Sequence, residues 1–211
     1  MIYYNPADGD ADNNPVKYRP KTCFIMTRLG HPVPKVIKEI RKDIKEVLTP
    51  LGIKPIDANS LVTGKDFLKK IWNMMRSVPL GIAIITEEIP PTTLANIFYE
   101  IGLMQAYGKE TLVIKTPKSS VPSDFVRTEY IEYKSGFRTQ LKRFLKEVQK
   151  RPAHYEHLAE LLERNPLLSI DYLRRAYLIS GDKSYRKKAL EYKKGIGDRA
   201  KNSIESLMLD F

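Results

Sequence analysis

The sequence predicts an α/β fold in which helices cover both faces of a five-stranded parallel sheet, with an all-helical extension after it. Three observations predict this. Between residues 21 and 150, five short strand-like runs alternate with four amphipathic stretches of helical period, the pattern of consecutive βαβ units. The run PLGIAIIT is apolar from Leu80 to Ile85, as a strand buried on both faces of a parallel sheet must be. After Arg151 the strand-like runs cease and the apolar spacing is helical.

Taken in order, residues 1–20 are rich in Asn, Asp, Pro and Gly without periodicity, and read as a flexible or loosely docked extension. TCFIMTR is a first strand ending in Thr27 and Arg28, and LGHPVP supplies a turn. In VIKEIRKDIKEVLTPLG, Ile37, Ile40, Ile44, Val47 and Leu48 recur at three- and four-residue spacing, with Gly52 just past the end. IKPIDA is a brief strand ending at Asp57. A polar loop with Thr63 and Gly64 leads to the helix DFLKKIWNMMRS, whose apolar face would be Phe67, Leu68, Ile71, Trp72 and Met75. The third strand passes through the loop EEIPPTT into a helix stopped by Gly108, and TLVIK follows as a strand. RTEYIEY alternates like an edge strand, and FRTQLKRFLKEVQK makes a further amphipathic helix.

The domain reading is therefore an extension over 1–20, an α/β domain over 21–150 and a helical extension over 151–211. Within the last, Pro152, Asn165-Pro166 and Gly181-Asp182 punctuate three helical stretches, with Ser169 and Asp182 as expected caps. Leu158, Leu161, Leu162, Leu167, Leu168, Tyr172, Leu173 and Tyr177 form an apolar surface too large for an isolated helix pair. It calls for a cover, either this chain's own sheet or another chain.

Composition bounds the function. A content of 42% hydrophobic and 29% charged residues, with only short apolar runs, is that of a soluble protein without a membrane span. MIYYNPADGDADNN has no basic-then-apolar leader pattern, so the expected location is the cytoplasm. Cys23 is single and lies in an apolar run, which makes it a core residue. Three histidines without ligand spacing predict no metal. The net charge of +11 is spread through the body, with 22 basic against 13 acidic residues between 21 and 150 and lysines spaced as on a solvated face. Nucleic acid is thus a conceivable partner, but no recognition motif accompanies the charge.

In a doubly wound sheet, ligands bind outside the carboxyl ends of the strands. Thr27-Arg28, Asp57, Thr86-Glu87-Glu88 and the helix bearing Asn96 and Glu100 all gather there. At about 100° per residue, Leu94, Ile97, Phe98, Ile101 and Met104 form the core arc of that helix, with Asn96, Glu100 and Tyr107 on its shoulder. A carboxylate so placed can attack an anomeric carbon or stabilise an oxocarbenium-like transition state. Glu100 is the candidate for that role, although a mid-helix glutamate is ordinarily a solvated residue. Asn96, one turn earlier, can hold a ribose hydroxyl or orient the carboxylate. Thr27 and Arg28 suit a phosphate, and Asp57 suits either a hydroxyl or a turn cap. Thr86 and Tyr99 complete the nucleotide-binding set. Trp72 falls at core spacing. Neither a GxGxxG nor a Walker lysine loop is present, which argues against a Rossmann dehydrogenase or a P-loop NTPase.

These residues carry a resemblance. The NIFYEIG helix after a strand ending in Thr-Glu, the strand in GKETLVIK and the segment PSDFVRTEYIEY resemble TIR-like predicted nucleotide-binding domains, as in Pycsar-type antiphage effectors. Over EIGLMQAYGK the chain is also similar to nucleoside 2-deoxyribosyltransferases. The resemblance covers residues 21–150 and implies a flavodoxin-like fold. It further implies that Glu100 is the catalytic carboxylate, that Asn96 matches the preceding family asparagine, and that Pro122-Ser123-Asp124 matches the loop before the last strand. The first strand departs from the TIR-like pattern, with Thr27-Arg28-Leu29-Gly30 in place of a His-Gly-Arg type loop. The tyrosine-bearing loop of the deoxyribosyltransferases is also missing there. The implied function is an N-glycosidase acting on NAD as substrate, without a further cofactor, in an antiphage or stress effector. The alternatives are a deoxyribosyltransferase-like enzyme and a non-catalytic nucleotide sensor. A homo-oligomer, or an effector partner engaged through the C-terminal helices, is expected.

Overall fold

The computed structural model describes residues 9, 16–30, 32–58, 67–122 and 130–194. Thr63, Gly64, Ser123 and Asp124, named above, lie outside the described residues, as do the first half of RTEYIEY and the chain beyond Lys194. The strands are β1 (Thr22–Met26), β2 (Lys54–Ile56), β3 (Leu80–Ile85), β4 (Glu110–Lys115) and β5 (Tyr130–Glu132). The helices are α1 (Lys35–Leu48), α2 (Phe67–Ser77), α3 (Pro91–Ala106), α4 (Phe137–Leu161), α5 (Pro166–Ser180) and α6 (Ser184–Lys194). The five strands pair in parallel in the order β2-β1-β3-β4-β5, a flavodoxin-like doubly wound sheet.

Parallel pairing buries both faces, and β1 and β3 are buried at every position. One face carries Cys23, Ile25, Leu80, Ile82, Ile84, Leu112 and Ile114 against Ile40, Ile44, Val47 and Leu48 of α1 and Leu141 and Leu145 of α4. Cys23 is wholly buried there, and burial drives its thiol pKa upward, so it is a core residue and not a nucleophile. Alternation sends Phe24, Met26, Gly81, Ala83 and Ile85 to the other face, where α3 packs on β3 and β4 and α2 packs on α3. Gly81 is required by that packing: a Cβ there would stand 2.4 Å from Sδ of Met104 and 2.9 Å from Cε of Met26.

The apolar face expected for α2 is only half formed. Ile71, Met74 and Met75 are buried, but Phe67 and Leu68 are 50% and 55% exposed and Trp72 is partly exposed. Periodicity within a helix does not reveal how much of its apolar face a neighbour covers.

The chain divides into two compact units, Lys21–Val148 and, together, Met1–Pro20 with Gln149–Phe211. Pro152 does not punctuate the chain as expected, because α4 runs for 25 residues straight through it. Proline removes one ladder bond, the one to the carbonyl four residues earlier. That carbonyl belongs to Val148, where the unit boundary falls.

In the helical unit, Ala159, Ile170, Leu173 and Ala189 form a small core flanked by Tyr18, Tyr172, Tyr177, Tyr185 and Tyr192. Residues 16–20 therefore do not behave as a loose extension. Val16 is buried, and Tyr18 accepts a hydrogen bond from Arg174 at 2.7 Å while the guanidinium stacks on its ring at 5.3 Å. Arg174 is itself paired with Asp171 in the interior. The cap of α5 is Asn165, whose side chain accepts from the Leu168 N–H at 3.3 Å. Ser169 is instead buried one turn inside, donating to the Ala159 and Leu162 carbonyls at 2.9 and 2.8 Å. Asp182 caps the start of α6 by accepting from the Ser184 N–H at 2.8 Å, which holds its carboxyl below the usual range. Leu161 remains 67% exposed and Leu168 41%, so part of the apolar surface of α4 and α5 is uncovered.

Candidate functional site

The strand order reverses between β1 and β3, which creates a crevice at their carboxyl ends. Thr27 directly follows β1 and Thr86 directly follows β3, on adjacent strands. Both are at least nine-tenths buried, and neither hydroxyl has a hydrogen-bond partner among the described residues. Alternation with Ile25 and Ile84 puts them on the α1 side of the sheet. Among the described residues the first turn of α1 has no side-chain cap and no acidic residue, which suits its N–H groups to an anion. Arg28 is half-buried beside Thr27 and forms no ion pair among the described residues. Topology assigns these features to the carboxyl edge of the sheet.

Asp57, at the end of β2, is buried and forms an ion pair with Arg41 of α1. Sequence reading left it between a hydroxyl ligand and a turn cap, and missed Arg41, which is 16 positions away and resembles every other cation on that helix. Glu87, beyond Thr86, accepts from the Thr116 hydroxyl and, at 3.4 Å, from Ser119. Thr116 and Ser119 are themselves 2.6 Å apart. The bond from Thr116 contributes most to holding the exposed Glu87 carboxyl below its ordinary range. Neither hydroxyl was singled out from sequence, though Thr116 follows β4 as Thr86 follows β3.

On α3, burial follows the helical wheel. Ile97, Ile101 and Met104 are buried, Leu94 and Phe98 partly so, Glu100 is partly buried on the shoulder, and Asn96 beyond it is exposed. Tyr99 is 49% exposed, about 100° around the helix from Glu100, so the two do not face one opening. Met104 rests on Gly81. One turn back along α3, about 6 Å, brings Glu100 near the level of Ala83, two residues up β3. Glu100 therefore lies below the rim formed by Thr27 and Thr86, not on it. Helical side chains lean toward the N-terminus, which tips its carboxyl toward that rim.

Burial raises the Glu100 pKa to about 7, and no described residue donates a hydrogen bond or a countercharge to it. A carboxyl dehydrated without compensation is a candidate functional group. A cavity of about 750 Å³ lies elsewhere, in the helical unit, lined by Glu156, Glu160, Glu163, Glu191, Lys188 and Tyr192 among others. Among the described residues no group of His, Cys, Asp or Glu could hold a metal, and no helix is long and apolar enough to cross a membrane.

No protein-family model matches the chain, and no curated protein matches it. Among solved structures it is similar to the CMP N-glycosidase of Clostridium botulinum, with 19% identity, a TM-score of 0.43, and coverage of 58% of this chain and 98% of that one. It is also similar to the 2-deoxyribosyltransferase of Bacillus psychrosaccharolyticus, with 11% identity, a TM-score of 0.42, and coverage of 57% and 90%. At these scores the likeness says nothing about substrate, which is left to the site itself.

Proposed function

We propose that this protein cleaves the N-glycosidic bond of a nucleotide, with NAD as substrate and Glu100 as the catalytic carboxylate. The observation that carries the reading is the unpaired, dehydrated Glu100 carboxyl beneath the carboxyl edge of a doubly wound sheet. The phosphate end of the substrate lies at Thr27, Thr86, Arg28 and the uncapped start of α1, where two buried hydroxyls lack partners. Asn96 holds a ribose hydroxyl at the mouth. Asp57, engaged by Arg41, helps to hold the edge of the site, and Tyr99 contributes only as an outer wall.

When the C1′–N bond breaks, nicotinamide departs neutral with the bonding electrons, and positive charge develops on the ribose. The ionised Glu100 faces that charge or bonds to C1′ as a ribosyl ester. Water then supplies the oxygen at C1′ and loses its proton, giving ADP-ribose. Because the leaving group is already cationic, no general acid is needed. The low-dielectric surroundings that raise the Glu100 pKa also strengthen its attraction to the developing cation.

A second reading is favoured by the same raised pKa. At pH 7 about half of the Glu100 carboxyls are protonated, and a protonated carboxyl can assist a neutral base to leave a 2-deoxynucleoside, as deoxyribosyl transfer requires. Incubation of the protein with NAD, and separately with a deoxynucleoside and a second base, distinguishes the two. Nicotinamide release that climbs with pH through about 7 and disappears in Glu100→Gln supports the first. Base exchange without NAD loss supports the second. Equal activity in wild type and Glu100→Gln refutes both. Assembly through the uncovered leucines of α4 and α5 is part of the proposal, and light scattering at rising concentration checks it.

A further inference from the structure

The surface layer formed by α1 and α4 has a charge arrangement that the site chemistry does not use. The two helices are neighbours on one face of the sheet, sharing a core and joined by Arg138, which bonds Asp43 at 2.6 Å and Glu46 at 2.7 Å. Placing α1 at about 100° per residue puts Lys35, Lys38, Lys42 and Lys45 on one flank and Glu39, Asp43 and Glu46 on the other. Asp43 and Glu46 meet Arg138 at the seam with α4, and Lys38, Lys42 and Lys45 are exposed. On α4, Lys142, Arg143 and Lys146 are exposed on the outer side. Lys38, Lys42, Lys45, Lys142, Arg143 and Lys146 form no ion pair among the described residues. Lys35 is the exception on this flank, since it pairs with Glu39 at 3.9 Å.

We infer that this layer binds the phosphate backbone of duplex nucleic acid. Lys38 to Lys42 and Lys142 to Lys146 each advance about 6 Å along their helices, close to two phosphates of one strand at about 3.4 Å each. A membrane surface fits less well, since an interfacial helix must offer an apolar face to the lipid. The apolar residues of α1 are buried in the core, and neither α1 nor the part of α4 up to Val148 carries an exposed large apolar residue. Contacts from these cations to phosphate oxygens carry no sequence information, so the binding is independent of sequence.

Fluorescence anisotropy of a labelled 20-base-pair DNA duplex with the full chain tests this. Six phosphate contacts predict an affinity that falls about 1,000-fold between 50 and 200 mM salt. The Lys142→Gln/Lys146→Gln and Lys38→Gln/Lys42→Gln variants should each lower the salt slope by about 2. Arg186→Gln/Lys187→Gln, on exposed positions of α6, should leave it unchanged. The inference is overturned by absence of binding at 50 mM salt, or by equal loss in the α6 variant. Binding to vesicles containing anionic lipid as tight as to the duplex also overturns it.

Discussion

Replacing Glu100 by Gln tests the central feature of the site without any substrate. In the folded protein the carboxyl titrates at about 7, against an ordinary value of 4.5, and dehydration is the cause. Because the folded-state value is raised, ionisation favours the unfolded chain. Below pH 4.5 the group is neutral in both states and contributes nothing. Between 4.5 and about 7 the unfolded chain ionises first and the native state loses stability, and above 7 the loss is constant. At about 1.4 kcal/mol per tenfold change in proton affinity, the full effect is about 3 kcal/mol. Gln resembles the neutral carboxyl in size and polarity, so the variant should match wild type within about 1 kcal/mol at pH 5. At pH 8 it should be about 3 kcal/mol more stable. Urea unfolding at the two pH values reads this as a midpoint difference of about 1.5 M, for a slope near 2 kcal/mol/M. A gap that does not change with pH, or a wild type that gains on the variant at pH 8, would show that the carboxyl is hydrated or paired and remove the basis for its assignment.

Other outcomes follow from neighbouring features. Thr27→Val and Thr86→Val remove buried hydroxyls that lack partners; each should stabilise the unliganded protein by about 1 kcal/mol in urea unfolding and weaken nucleotide binding in calorimetry. Asp57→Ala leaves Arg41 without its partner beside the sheet, and should cost about 2 kcal/mol in the same unfolding assay. Gly81→Ala brings a methyl group against Met104 and Met26; because both are flexible chain ends, the expected loss is about 1 kcal/mol by thermal or urea melting.

The fold was legible because its signals are local. Apolar runs of strand length, helical spacing and glycine stops fall close to where β1, α1, β3, α3 and β4 occur. The shoulder of α3 was legible for the same reason, since its wheel depends only on residues within that helix. What escaped depended on distant partners or on competition between local preferences. Arg41 is chosen by Asp57 through the packing of α1 on β2, and no pattern within α1 marks it. Pro152 interrupts one hydrogen bond, too little to stop a helix of 25 residues. Ser169 looks like a cap, but Asn165 with Pro166 behind it starts the helix earlier. Tyr18 sits in a polar stretch without periodicity, and its order comes from Arg174, 156 residues away.

The contact between Gly81 and Met104 has a consequence for the chemistry of a residue that neither of them touches in sequence. The missing side chain sets how closely α3 lies against β3, and that spacing sets how much water reaches the next turn of the helix. The proton affinity of Glu100 is then a mechanical quantity, adjusted by the thickness of a strand one turn away. Lifting the helix by the width of a methyl group would admit water and return the carboxyl toward its ordinary acidity, so the working pH of the site is written partly in a glycine.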